Sequence, residues 1–276
     1  MTRENPRAAW SFGVARSHAV GSVQSRLREL CSLASEACDV AFTPLHAGSY
    51  RELADGITRG DVGVAWMPPL PAIELEASGA AAALVLSSRQ EGTSYYSAIV
   101  TREGKAKTLA ELEGMRVAWV ERESAAGYLV PRLHLASQGR DAKSFFAQES
   151  FAHSHLGVVD AVASGAADVG ATFCTLDPVT KRVVTAGWMA ADGSKIRNVE
   201  LVTTLGPIPN DAIVVASSVP ASVRSSLTRW FLSPDERTQE LFAELFQVSS
   251  FRVASAAHFE PLRHRVRAAR ARGHHI

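Results

Sequence analysis

The sequence predicts an α/β fold in two lobes, with mostly parallel sheets and helices on both faces. Three observations carry this. Apolar runs of strand length alternate with segments of helical spacing along most of the chain, the pattern of strand–helix–strand units. The alternation occurs twice, over residues 10–66 and again over residues 115–173, each time as β-α-β-α-β. The chain of 276 residues is 46% hydrophobic and 21% charged, a globular balance long enough to bury a large core without staples.

The first run begins with a strand at residues 10–15 and a polar, glycine-containing turn at 16–22. Val23, Leu27, Leu30 and Leu33 then fall at helical spacing. A strand at 39–45 follows. Ser49 is placed to cap a helix through residue 58, with Leu53 and Ile57 inward. Residues 61–66 form a strand ended by Pro68 and Pro69. A short helix at 72–77, a strand at 81–86 and a strand at 95–101 lead into the second run. Just ahead of it, residues 108–114 are a capped helical turn stopped by glycine. Strands are expected at 115–120, 145–151 and 167–173, and helices from Ser124 toward His134 and over 154–164. Beyond these come strands at 199–204 and 212–217, and helices at 222–232 and 235–245.

Charge and cysteine usage narrow the function classes. Lys+Arg is 29 and Asp+Glu is 28, for a formal charge of +1. That leaves no broad basic field for nucleic acid. Cys31, Cys38 and Cys174 show no CxxC spacing and read as free thiols in a core. No run of 18 apolar residues predicts a membrane span. The first ten residues lack the apolar stretch of a secretory leader, so the sequence as written is expected in the cytoplasm, or in the periplasm if a leader has been removed. A monomer is expected.

In open α/β sheets, ligands bind beyond the C-terminal ends of the strands. The residues at those places are Ser17 between Arg16 and His18, Tyr50 after Ser49, Trp66 with Met67, the loop Ser124-Ala125-Ala126-Gly127, Ser154 with His155, and the stretch 172–175. Several open helices. Free N–H groups and the helix dipole favour an anion there. Each serine also has a purely structural reading as an N-cap. Trp66 and Met67 serve equally as pocket wall or core.

The runs around these residues resemble a known family. They are Asp61-Val62-Gly63-Val64-Ala65-Trp66 after the Ser49-Tyr50 helix start, Tyr95-Tyr96-Ser97-Ala98-Ile99-Val100, and Glu123-Ser124-Ala125-Ala126-Gly127-Tyr128. Ser154-His155 ahead of Ala167-Asp168-Val169-Gly170 and Pro207-Ile208-Pro209-Asn210-Asp211-Ala212 complete the set. In order and spacing they are similar to the phosphonate/phosphite-binding substrate-binding component of ABC importers, over about residues 10–260. The resemblance implies a type 2 periplasmic-binding fold with a two-stranded hinge near 88–94 and 203–209. One lobe would be 1–93 with 205–276 returning to it, and the other 94–204. It also implies a small anionic ligand and, if the chain is exported, an ABC permease as partner.

The resemblance carries ligand roles to Tyr50, Tyr95, Ser124, His155 and Asp168. Two departures stand out. Ala125 and Ala126 replace hydroxyl residues of the oxyanion loop, and Leu156 replaces an acid after the histidine. Each lost charge-assisted hydrogen bond is worth about 1.5–3 kcal/mol. An aminoalkylphosphonate is therefore disfavoured against a smaller anion. The backbone N–H groups of Ala125, Ala126 and Gly127 remain available to an oxyanion.

Other features are weaker. His153 and His155 form an H-x-H without a nearby third ligand, so no metal is expected. No cofactor-binding motif or nucleophile elbow is present, so no cofactor and no catalytic residue is assigned. The arginines between 263 and 272 read as a solvated C-terminal helix. Two rival readings stand beside anion binding. One is an enzyme of lyase or dehydratase type using His155 and Asp168 as acid and base. The other is a partner-binding domain that has lost its ligand.

Overall fold

The structure is a computed structural model that describes residues 9–15, 23–89, 92–190 and 192–273. Its strands in chain order are β1 (Ala9–Ala15), β2 (Ala41–Ala47), β3 (Val64–Met67), β4 (Ala81–Ser88), β5 (Ser94–Arg102), β6 (Arg116–Trp119), β7 (Gln148–Phe151), β8 (Val169–Leu176), β9 (Val183–Ala186), β10 (Val199–Pro209), β11 (Ala212–Ala216) and β12 (Ser250–Val253). Its helices are α1 (Val23–Cys38), α2 (Tyr50–Arg59), α3 (Pro69–Ala77), α4 (Val130–Ser137), α5 (Ala142–Phe145), α6 (His155–Ser164), α7 (Ala221–Leu232), α8 (Glu236–Phe246) and α9 (Ala256–Arg270). A single π turn, Ala125–Leu129, runs into α4.

The chain divides into two units. One holds residues up to Thr93 with Asn210–His258, and the other holds Ser94–Pro209 with the residues from Phe259 onward. It thus passes between units at three points, where two were expected. Residues 205–209 belong to the second unit because β10 is continuous and stays paired with β5 to its end, Pro209 opposite Ser94. The last helix joins that unit too. Phe259, Leu262, Val266 and Ala269 are buried, and Arg265 donates to the Gly206 carbonyl at 2.9 Å.

The first unit is built on a six-stranded sheet in the order β12-β4-β11-β3-β1-β2. β1 pairs in parallel with β2 and β3, while β11 and β12 join antiparallel. The sheet is mixed rather than mostly parallel, because β11 enters this unit from the other and runs against β3 and β4. Its core is aromatic. Trp66 stacks on Phe246 at 4.5 Å between ring centroids, and Phe231 on Phe242 at 5.2 Å. Local signals act as expected in α2. Ser49 Oγ accepts from the Glu52 N–H, Leu53 and Ile57 are buried, and Gly60 ends the helix at φ 87°.

The second unit has the order β10-β5-β8-β6-β7, with β9 against β8. β6 is parallel to β7 and β8, and β5 is antiparallel to β8 and β10. Helix α6 lies directly on β8. A Cβ at Gly170 would meet Val158 at 2.6 Å and Val162 at 2.8 Å, so only glycine permits that approach. The strand expected over 145–151 begins only at Gln148. Asp141 caps the short turn α5 by accepting from the Lys143 N–H, which commits 142–145 to helical geometry. Strands β9 and β12 and the full length of α9 were not anticipated.

Candidate functional site

On the second unit, the C-terminal ends of β6, β7 and β8 and the N-terminal end of the antiparallel β5 share one edge of the sheet. Two helix starts lie on that edge. Ser124 Oγ accepts from the Gly127 N–H at 3.0 Å, and Ser154 Oγ accepts from the Gly157 N–H at 2.9 Å. Each hydroxyl hydrogen therefore remains free to donate outward. The Ala125 and Ala126 N–H groups lie in a first turn, where a helix has no internal acceptor for them. Gly127 N–H is already taken by Ser124.

The loop is locked from below. Ser97 Oγ, fully buried on β5, donates to the Ala126 carbonyl at 2.6 Å. A Cβ on Gly127 would come 2.3 Å from Val120, so the turn closes only on glycine. A Cβ on Gly157 would strike the Ala152 carbonyl oxygen at 2.5 Å. Both caps thus depend on a glycine three residues beyond the serine.

His155 is held by the same edge. Its Nδ1 lies 3.1 Å from Thr172 Oγ1, and its ring meets Phe173 edge-on at 4.9 Å. Burial pushes its pKa down to about 4, so the ring is neutral at pH 7. The Thr172 contact leaves Nε2 as the nitrogen for a ligand. Tyr95, at the start of β5, is partly exposed on this edge. Thus Tyr95, Ser124, Ala125, Ala126, Gly127 and His155 fall on one edge of one unit.

Asp168 does not join them. It precedes β8, at the far end of the strands from Ser124 and His155. Its carboxylate is clamped by Arg116, which donates from Nε at 2.9 Å and from its backbone N–H at 3.2 Å, and Lys105 lies 3.6 Å away. These partners hold its pKa down to about 2. The strand-end role is the one it fills, and the pairing of His155 with Asp168 for acid–base chemistry loses its geometry.

The first unit offers less than its sequence suggested. Trp66 is fully buried in the aromatic core, the second of the two roles open to it. Tyr50 is partly exposed at the start of α2, on the C-terminal edge of the sheet. That helix start already carries a carboxylate, since Glu52 accepts from the Gly48 N–H at 2.6 Å, which works against an anion there. Ser17 lies outside the described residues.

One group on this edge was not assigned from sequence. Asp211 sits just before β11, with its carbonyl accepting from Ser87 N–H at 2.9 Å. Burial raises its pKa to about 6, against the opposing pull of Arg89. Asn210 beside it is buried and donates to the Ser87 and Gly92 carbonyls. Thr172 stands in the stretch 172–175 singled out from sequence, while Ser97 and Asp211 were given no role there. Only strand register brings them to an edge.

Among the described residues, no group of His, Cys, Asp and Glu could hold a metal ion, and no helix is long and apolar enough to cross a membrane.

Residues 12–259 match the model of the family described as "ABC transporter, phosphonate, periplasmic substrate-binding protein". The chain belongs to this family. Solved structures agree on the fold. A Xanthomonas citri protein solved with ATP bound superposes with a TM-score of 0.74 at 19% identity, covering 97% of this chain and 99% of that one. A binding-protein component of an ABC phosphonate transporter from Pseudomonas aeruginosa gives 0.65 at 17%, covering 97% and 88%. PhnD1 from Prochlorococcus marinus, solved with methylphosphonate, gives 0.63 at 19%, covering 95% and 98%. Comparison with curated proteins gives no match. The fold is the two-domain type 2 periplasmic-binding fold, and the family is the substrate-binding component of phosphonate ABC importers.

Proposed function

We propose that this chain binds a small phosphonate-like oxyanion on the edge formed by Ser124, Ala125, Ala126 and His155. The observation that carries the reading is two serine-capped helix starts on one sheet edge, flanked by a histidine with Nε2 unused. Together they supply hydroxyl, backbone N–H and imidazole donors and no side-chain carboxylate of their own. Methylphosphonate in the Prochlorococcus relative and ATP in the Xanthomonas relative both present phosphorus oxyanions, which supports the ligand class. Alanines at 125 and 126 leave the backbone to do what hydroxyls would add, so the reading favours a compact anion.

The reading includes closure of the two lobes on the ligand, delivery to an ABC permease and a periplasmic setting. Its test is thermal unfolding with methylphosphonate, phosphite, phosphate and sulfate. A ligand at 100 times its Kd adds about 2.7 kcal/mol to the folded state. A clear upward shift in Tm with a phosphorus oxyanion, reduced in Ser124→Ala, is expected. No shift with any of the four anions, or a shift indifferent to Ser124, contradicts the reading.

A further inference from the structure

The second unit carries a pocket of about 540 Å³ that the ligand edge does not use. It lies among the loop after β5, the C-terminal end of α4, the middle of β10 and α9. Lys107, His134, Arg140 and Arg265 line it together with the hydroxyl residues Thr108, Thr203 and Thr204, and no Asp or Glu does. Its size falls within the roughly 300–1,000 Å³ of small-molecule sites.

The charges in it are incompletely matched. Arg140 is partly answered by Glu113 at 3.3 Å and lies over the Phe145 ring. Glu111 is spent on the Lys107 backbone N–H and the Thr108 hydroxyl. Arg265 gives one N–H group to the Gly206 carbonyl, while its Nη1 is buried with no hydrogen-bond partner. A buried guanidinium N–H without an acceptor is costly unless something else supplies one. His134 feels the same field. Burial first, and the Arg265 charge second, push its pKa down.

The C-terminal end of α4 does not cancel this positive character. Its last carbonyls are occupied, His134 by Ser137 Oγ–H, Leu135 by the N–H groups of Gln138 and Arg140, and Ala136 by that of Gly139. The pocket is also separate from the candidate ligand edge. Its His134 lies ten residues along the helical stretch that Ser124 opens, about 15 Å away at 1.5 Å per residue.

We propose that this pocket is a second anion site, taking a small oxyanion of the phosphate or carboxylate class between Arg265, Lys107 and His134. It stands independently of the ligand proposed for the Ser124 edge. An occupant would supply acceptors to the guanidinium and favour the charged form of His134.

The test is histidine-ring NMR titration of the full chain, with His134 identified by its absence in His134→Gln. Inorganic phosphate and succinate are the probes, each at concentrations up to about 50 mM, enough to reveal millimolar affinity. An opposite charge nearby raises a histidine pKa, so at least one probe should move the His134 midpoint up by about half a unit or more. Phosphate alone or succinate alone identifies the class. The shift should persist in Ser124→Ala/His155→Gln, shrink in the exposed Lys107→Gln and vanish in Arg265→Gln. Lys107→Gln keeps the test valid if the arginine variant fails to fold. An unmoved midpoint with both probes overturns the proposal. So does a shift that survives the Lys107 and Arg265 changes, or one lost only in Ser124→Ala/His155→Gln.

Discussion

In the proposed reading, His155 is a neutral donor that a bound anion would charge. Its pKa near 4 reflects burial, and an oxyanion at Nε2 would oppose that burial by favouring the imidazolium. Binding should therefore take up protons and tighten as pH falls from 7 toward 5.5. Calorimetry in buffers of different ionisation enthalpy reads the uptake. Binding that is flat with pH would remove His155 from the ligand. For the unliganded chain, a depressed histidine contributes stability above its unfolded pKa of 6.5, and this is lost as pH falls from 6.5 toward 4. His155→Gln should flatten that window, by up to about 3 kcal/mol.

Asp211 works in the opposite sense. Its folded pKa near 6 exceeds the ordinary carboxylate value of 3.8, so the protonated form is the stabilised one. That stability is full below 3.8 and lost as pH rises from 4 to 6. Asp211→Asn should raise Tm relative to wild type at pH 7 and leave it nearly unchanged at pH 4. Equal effects at both pH values would contradict the assignment. The caps at Ser49, Ser124 and Ser154 were legible because a serine and the N–H it caps lie within three residues. Ser97 and Asp211 were not, because their positions follow from pairing across tens or hundreds of residues.

At the scale of the element, the loop 124–129 is the part most sensitive to change. Adding one methyl at Gly127 places it against Val120 inside a packed turn, and overpacking of this kind costs about 1–3 kcal/mol. Gly127→Ala should lower stability by that amount in denaturant unfolding and weaken the proposed anion site with it. Ser154→Ala should cost about 1 kcal/mol as a lost N-cap, with Ser154→Asp close to neutral in stability but unfavourable to an anion. Helices with a cap, an apolar face and a glycine stop were visible in the sequence, α2 and α6 most clearly. The segment 145–151 misled because its apolar residues suit a strand, while the Asp141 cap begins a helical turn just ahead of it. Strand β10 continues through Pro207 and Pro209 because it is an edge strand, where a missing donor is tolerated.

For the whole molecule, the β-α-β alternation was enough to place the fold class, and the order of the motifs was enough to place the family. The sheets proved mixed because strands returning from the other unit enter against the local direction. The C-terminal arginines depart furthest from the solvated helix that their sequence suggests. They belong to a helix packed into the second unit, and Arg265 faces a pocket rather than solvent alone. The near-neutral charge is consistent with a ligand held by local donors on one edge. The most direct test is calorimetric titration of methylphosphonate, phosphite and phosphate into wild-type protein and Ser124→Ala/His155→Gln. At least one should bind saturably to the wild type, with affinity reduced about tenfold or more, or 1.4 kcal/mol, in the double variant. No binding by any of the three, or equal affinity in both proteins, would contradict the anion edge.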